Sequence, residues 1–239
     1  LTTVIGNCHK VALENPTYGQ AYRLFERLSY EVCTVDMDQS GMRIDELEKS
    51  GADIAFVMPS HQYPLGCVMP IQRRMELLKW ADAAEDRYII EDDYDSEFRY
   101  TGEPVPAMLG MVNNAPVVYL GTFSKTLFPS LRMGFMVLPP ALAKAARPAI
   151  GSLLRGGHRA EQRTLALFIE EGHYARHLAA MRRLYRKRYR QLREVLGAEL
   201  HTPHRILAGE GGMHLTLAID DIDDQTLVAQ ARAFQLAPA

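Results

Sequence analysis

The chain has 239 residues, 47% of them hydrophobic, enough to bury one large core or one and a half domains and too apolar for a disordered chain. A net charge of -2 and a pI near 6.5 exclude a global positive field that would draw it onto nucleic acid or an anionic membrane. Cys8, Cys33 and Cys67 are odd in number, widely spaced and without a C-x-x-C pair, which excludes a disulfide framework and a cysteine zinc site and points to a reducing, cytoplasmic compartment.

No apolar run reaches membrane-spanning length, no signal segment opens the chain, and the start at Leu1 rather than Met leads us to expect a cut N-terminus. Through the first two thirds, short apolar runs alternate with helical patterns. Strands are expected at Lys10 to Leu13, Glu31 to Val35, Ile54 to Met58, Tyr88 to Glu91, Val117 to Leu120 and Gly134 to Leu138. Helices are expected between them at Tyr18 to Leu28, Arg43 to Lys49, Ile71 to Ala84 and Pro140 to Leu154. Such alternation implies an α/β fold, a three-layer αβα arrangement around a mostly parallel sheet.

After Gly156 the pattern changes to two long helices, Arg159 to Glu171 and His173 to Leu196, then a strand from Gly212 to Ile219 and a helix from Asp224 to Phe234. The expected organisation is a large domain over 1–155, interdomain helices over 156–196, and part of a smaller α+β C-terminal domain over 197–239.

Two constellations carry chemistry. In Tyr88-Ile-Ile-Glu-Asp-Asp-Tyr-Asp-Ser-Glu-Phe98 an apolar strand runs into acids at the ligand-bearing edge of the sheet. Period-two alternation puts Ile90, Asp92 and Tyr94 on one face and Ile89, Glu91 and Asp93 on the other, favouring Asp92 over Asp93 as the functional carboxylate. A carboxylate beside a phenol suits a pyridine ring: the first holds the ring nitrogen protonated, the second hydrogen-bonds a neighbouring oxygen.

The second constellation is Gly121-Thr-Phe-Ser-Lys-Thr-Leu-Phe-Pro-Ser-Leu-Arg132, in which Lys125 follows a strand end and offers an amine for a Schiff base. Thr122 and Ser124 flank it with hydroxyls, and Arg132 can fork onto a phosphate dianion. A nucleotide phosphate loop would need glycines where Ser124 and Tyr119 stand, and neither G-x-G-x-x-G after a strand nor G-x-S-x-G occurs.

With Pro59-Ser-His-Gln-Tyr-Pro-Leu-Gly66, these motifs resemble fold type I pyridoxal 5'-phosphate (PLP) proteins of the class I/II aminotransferase family. The nearest similarity is to the aminotransferase-like domain of MocR-type GntR transcription regulators, over almost the whole chain. The resemblance implies Lys125 as the Schiff-base and catalytic lysine, Asp92 as partner of the ring nitrogen, Tyr94 as donor to the ring hydroxyl, and Arg132, Thr122 and Ser124 as the phosphate clamp. It also places Tyr18 beside the cofactor. Where many relatives carry Asn-Pro-Thr-Gly this chain has Tyr63, which leaves that contact open among His61, Gln62 and Tyr63, and Gln20 stands where some regulators have an arginine for a substrate carboxylate. The implied partners are a small amino compound, a second copy in a homodimer, and DNA through an attached winged helix-turn-helix. The alternative is an active aminotransferase.

Two further features invite a functional reading. His173 and His177 stand four apart on a helix without a third ligand, so no metal is expected there. The basic run Met181 to Arg190 keeps an apolar stripe through Met181, Leu184, Tyr185, Leu192 and Val195, which makes its charges the wet face of an interdomain helix.

Overall fold

The computed structural model describes residues 8–102, 105–153, 159–207, 211–220 and 222–233. Its centre is a seven-stranded sheet. In chain order the strands and helices of this part are β1 (Lys10–Asn15), α1 (Gly19–Arg27), β2 (Glu31–Asp38), β3 (Gly41–Met42), α2 (Ile44–Ser50), β4 (Ile54–Val57), α3 (Ile71–Asp82), β5 (Tyr88–Asp93), β6 (Val117–Thr122) and β7 (Gly134–Val137). The strand order is β3-β2-β1-β4-β5-β6-β7. The five strands from β2 to β6 run parallel, while β3 and β7 close the two edges antiparallel.

The parallel core follows from the sequence of its strands. Val11, Ala12 and Leu13 of β1 and Ile54, Ala55 and Val57 of β4 have no exposed surface, the continuous burial expected of strands covered on both faces. Alternate residues feed two separate cores. Ala12, Ala55, Val57, Ile89 and Val117 pack with Leu47 of α2 and Leu77, Leu78 and Trp80 of α3. Val11, Leu13, Ile54, Phe56, Ile90 and Val118 pack with Ala21 and Phe25 of α1 and with Leu142. Leu142 belongs to α4 (Pro140–Leu153), so helices cover both faces as expected.

Beyond the sheet, α5 (Arg159–Glu170) pairs with α6 (His173–Glu199), followed by β8 (His204–Ile206), β9 (Leu217–Ile219) and α7 (Asp224–Ala233). β8 and β9 form a separate antiparallel pair. Two differences from expectation matter for the site. β5 and β6 each extend two residues further, so Asp92, Asp93 and Thr122 are still strand residues. The strand expected from Gly212 to Ile219 pairs only at Leu217–Ile219, because Gly212 takes a positive φ of 77° and the Met213 amide donates to Asp95 instead of to a neighbouring strand. No helix among the described residues is long and apolar enough to cross a membrane.

Candidate functional site

The carboxyl ends of parallel strands are where open α/β sheets hold ligands, and four segments of interest meet there. β1 leads to Tyr18, β4 to the 58–66 loop, β5 to Tyr94 and β6 to Lys125.

The three acids of β5 have different fates. Glu91 is buried on the α3 side, accepts the Met108 amide at 2.9 Å and lies 3.6 Å from the equally buried Arg74 guanidinium. Burial raises its carboxyl to about 7, with Arg74 opposing. Asp93, on the same face, accepts the Tyr119 hydroxyl at 2.6 Å and the Ser96 amide at 3.1 Å. Asp92 faces the other way, beside Tyr94. It is half-buried, and no hydrogen bond or ion pair reaches it from the described residues. Burial first, then Asp93 and Asp95, raise its carboxyl to about 6. A carboxylate among carboxylates with no cation of its own is suited to a protonated ring nitrogen, whereas Asp93 is already committed to Tyr119.

Tyr94 leads into a buried polar cluster. Its hydroxyl lies 3.2 Å from His61 Nδ1, and the same nitrogen lies 3.0 and 3.2 Å from the two oxygens of Asp95. His214 lies against His61 with centroids 4.4 Å apart and planes tilted by 38°. His61, Asp95 and His214 bring ligand-type atoms within 4.8 Å of one another, but His61 Nδ1 is already shared between Asp95 and Tyr94. Desolvation pushes the Tyr94 phenol far above its ordinary value, so it keeps its proton. His214 is shifted down, by burial first, then by His61 and by the nearby Lys125 charge, and so stays neutral.

The 58–66 loop resolves part of the open contact. The Gln62 side chain is used within the structure, donating to the Pro16 carbonyl at 2.8 Å and accepting the Leu65 amide at 2.9 Å. His61 is held by Asp95. Tyr63 packs edge-on against the exposed Tyr18 and against His214, and no hydrogen bond reaches its hydroxyl from the described residues.

Lys125 sits exposed in a turn that follows β6. The turn is held by Thr122 Oγ1, which accepts the Ser124 amide at 3.1 Å, and by the Leu127 amide bonding the Phe123 carbonyl at 2.9 Å. Buried Thr126 pins it to α6: Tyr174 donates to its hydroxyl at 3.1 Å and His177 reaches its carbonyl at 2.9 Å. His173 is spent instead on Glu171 and Arg176, so the two imidazoles face different partners. Arg132 is exposed, adopts a positive φ of 50°, and makes no ion pair with the described residues. Thr122 and Ser124 therefore already stabilise the turn, while Arg132 remains available to an anion.

On the Asp93 side lies a cavity of about 630 Å³ lined by Asp93, Asp95, Glu97, Tyr119, Arg182 and His61. Asp95 and His61 thus form the wall between this cavity and Tyr94. α6 closes one side, with Tyr185 against Phe98 and Tyr189 against Tyr100, while Arg183, Arg186, Lys187 and Arg190 stay exposed; of the expected apolar stripe Leu184, Leu192 and Val195 are also exposed, so only part of it is covered by the described residues. Motif matching missed Asp95 and His214. The only sequence signal for them was a fourth acid in the β5 run and a histidine after a double glycine.

The aminotransferase class I and II family matches residues 3–235. The chain is 40% identical to the uncharacterized HTH-type transcriptional regulator YhdI of Bacillus subtilis, over 88% of this chain and 45% of that protein. It is 37% identical to the probable rhizopine catabolism regulatory protein MocR of Rhizobium meliloti, over 87% of this chain and 43% of the relative. It thus spans less than half of each. Kynurenine aminotransferase of Pyrococcus horikoshii, crystallised with PMP, superposes with a TM-score of 0.86 at 28% identity, covering 98% of this chain and 62% of that one. With the parallel sheet, the strand-end lysine and the β5 carboxylate, these likenesses settle the family: the chain belongs to the class I and II aminotransferases.

Proposed function

We propose that this domain binds PLP and serves as the effector-sensing module of a MocR/GntR-type transcription regulator. The observation that carries the cofactor reading is Asp92, a half-buried carboxylate without a partner among the described residues, near the end of β5 and two positions before Tyr94. When bound, the cofactor supplies an aldehyde that condenses with amines and a protonated ring that withdraws electrons. Asp92 would hold the ring nitrogen protonated, Tyr94 would donate to the ring oxygen, and Lys125 would provide the amine for the covalent link. Arg132, with Ser124 and Thr122, would face the phosphate, and Tyr18 with Tyr63 would cover the ring.

The regulator reading rests on relatives: the regulators are 40% and 37% identical, the structurally similar aminotransferase 28%. In it, an amino compound competes with Lys125, and DNA is contacted by a winged helix-turn-helix in the intact, homodimeric, cytoplasmic protein. The second reading, an active aminotransferase, is favoured by the completeness of the donor set. In that case the freed Lys125 amine moves a proton on the bound substrate.

The test uses full-length protein reconstituted with PLP. A visible band and a borohydride-reducible link that Lys125→Ala abolishes are expected, and persistence of both in that variant refutes the assignment. Effector-dependent DNA binding with negligible transfer to a keto acid supports the regulator, whereas steady turnover without DNA binding refutes it.

A further inference from the structure

The imidazole of His61 is only 4% exposed, and its Nδ1 faces two oxygen groups at once: the Asp95 carboxylate at 3.0 Å and the Tyr94 hydroxyl at 3.2 Å. A ring nitrogen carries either one hydrogen or one lone pair, never both. An ionised carboxylate only accepts hydrogen bonds, so the nitrogen that meets Asp95 must carry the hydrogen. Once it does, Tyr94 finds no lone pair on Nδ1, the nitrogen it faces. The phenol oxygen receives a share of the Nδ1 hydrogen, and its own hydrogen must turn elsewhere.

The surroundings fix this arrangement. Asp95 is 2% exposed and is also held by the Met213 amide at 3.2 Å. His61 Nε2 is buried without a partner among the described residues, as expected of a bare lone pair, since an unsatisfied N–H there would be the costlier orphan. The other titratable group against the ring, His214, lies tilted by 38° to it, and its own Nε2 is likewise buried without a partner among the described residues.

We propose that Asp95 and His61 are positioning residues for Tyr94: the carboxylate fixes the hydrogen on His61 Nδ1, and the filled nitrogen forces the Tyr94 hydroxyl hydrogen outward, toward an acceptor such as a pyridoxal ring oxygen. The step from Tyr94 to that oxygen rests on the cofactor reading above; the Asp95–His61–Tyr94 arrangement itself does not. It makes Tyr94 a dedicated donor before any ligand arrives, a form of preorganisation. Burial, which keeps the phenol protonated, works in the same direction.

The first test needs no cofactor. In full-length protein labelled with ¹⁵N-histidine, the His61 nitrogens should show Nδ1 protonated and Nε2 bare, and the reverse tautomer overturns the inference. The second follows the pH midpoint of the visible band in PLP-loaded protein. A donor on the ring oxygen disperses negative charge and loosens the proton held beside it, so Tyr94→Phe should raise the midpoint by about one pH unit.

His61→Phe should raise it in the same sense, His61→Asn, whose amide N–H can replace Nδ1, should restore it, and the double variant His61→Phe with Tyr94→Phe should match Tyr94→Phe alone. A His61→Phe protein that titrates like the parent, or effects that simply add, overturn the inference. If the parent shows no Lys125-dependent band, the cofactor reading fails, and the tautomer measurement still decides the role of Asp95 and His61.

Discussion

Gly212 and His61 approach so closely that a Cβ on Gly212 would fall 1.9 Å from the imidazole carbon Cε1. The glycine also holds a φ of 77°, which L side chains rarely adopt, and its own amide and carbonyl bond Phe98 and Tyr100. It therefore has little room to retreat. Gly212→Ala is expected to destabilise the protein by about 2 kcal/mol or more and to displace His61 from Asp95. Urea unfolding together with the His61 nitrogen shifts would check both, and an unchanged protein would show that this contact does not constrain the ring.

Arg74 offers a different kind of test. Its guanidinium is fully buried, bonds the carbonyls of Met69, Pro59 and Pro106, and neutralises Glu91 from 3.6 Å. Arg74→Met strands a buried acid and three carbonyls, for an expected loss of about 3–5 kcal/mol. Adding Glu91→Gln should return part of it. Chemical denaturation of the two variants reads the difference directly.

Stability should also depend on pH through Glu14. This residue is 1% exposed, and burial raises its carboxyl to about 8, against an ordinary value of 4.5. Because the folded state holds the proton more tightly than the unfolded chain, stability falls as pH rises from the ordinary value toward 8 and levels off above it. Glu91, raised to about 7, acts in the same direction. Glu14→Gln should flatten most of this slope and stabilise the protein at pH 8, as followed by denaturant midpoints between pH 5 and 9. A parent protein that grows more stable over that range would contradict the burial of both acids.

Arg132 allows backbone and side chain to be separated. Its positive φ favours glycine, so Arg132→Gly removes the guanidinium without adding strain. The expected result is an unchanged or higher melting temperature with PLP affinity reduced roughly tenfold or more, the worth of a charge-assisted hydrogen bond. Affinity for unphosphorylated pyridoxal should stay the same. An equal loss for both ligands would move Arg132 away from the phosphate.

The sequence disclosed best those parts governed by short periods. The two-residue alternation of β5 separated Asp92 and Tyr94 from Asp93, and the structure places Ile90 and Tyr94 in one core and Ile89 in the other. The 3.6-residue pattern marked the helices to within a few residues. The two-residue strand β3 is too short to have a period. Met213, bound to an acid 118 positions away, looked like part of a regular strand because an alternating pattern cannot reveal that its amide has a remote partner. Asp95 and His214 were hidden for the same reason: their roles arise from a meeting between distant segments.

That leaves α6. Its first turns grip the lysine turn through Tyr174 and His177, and further along Arg182, Tyr185 and Tyr189 grip the segment that leaves β5. One helix of 27 residues, roughly 40 Å long, thus holds both halves of the candidate site. A change in how α6 packs would therefore be felt by the Lys125 turn and by the segment after β5 together. The lysine turn and the acid-bearing strand end thus share one support and are not positioned independently of each other.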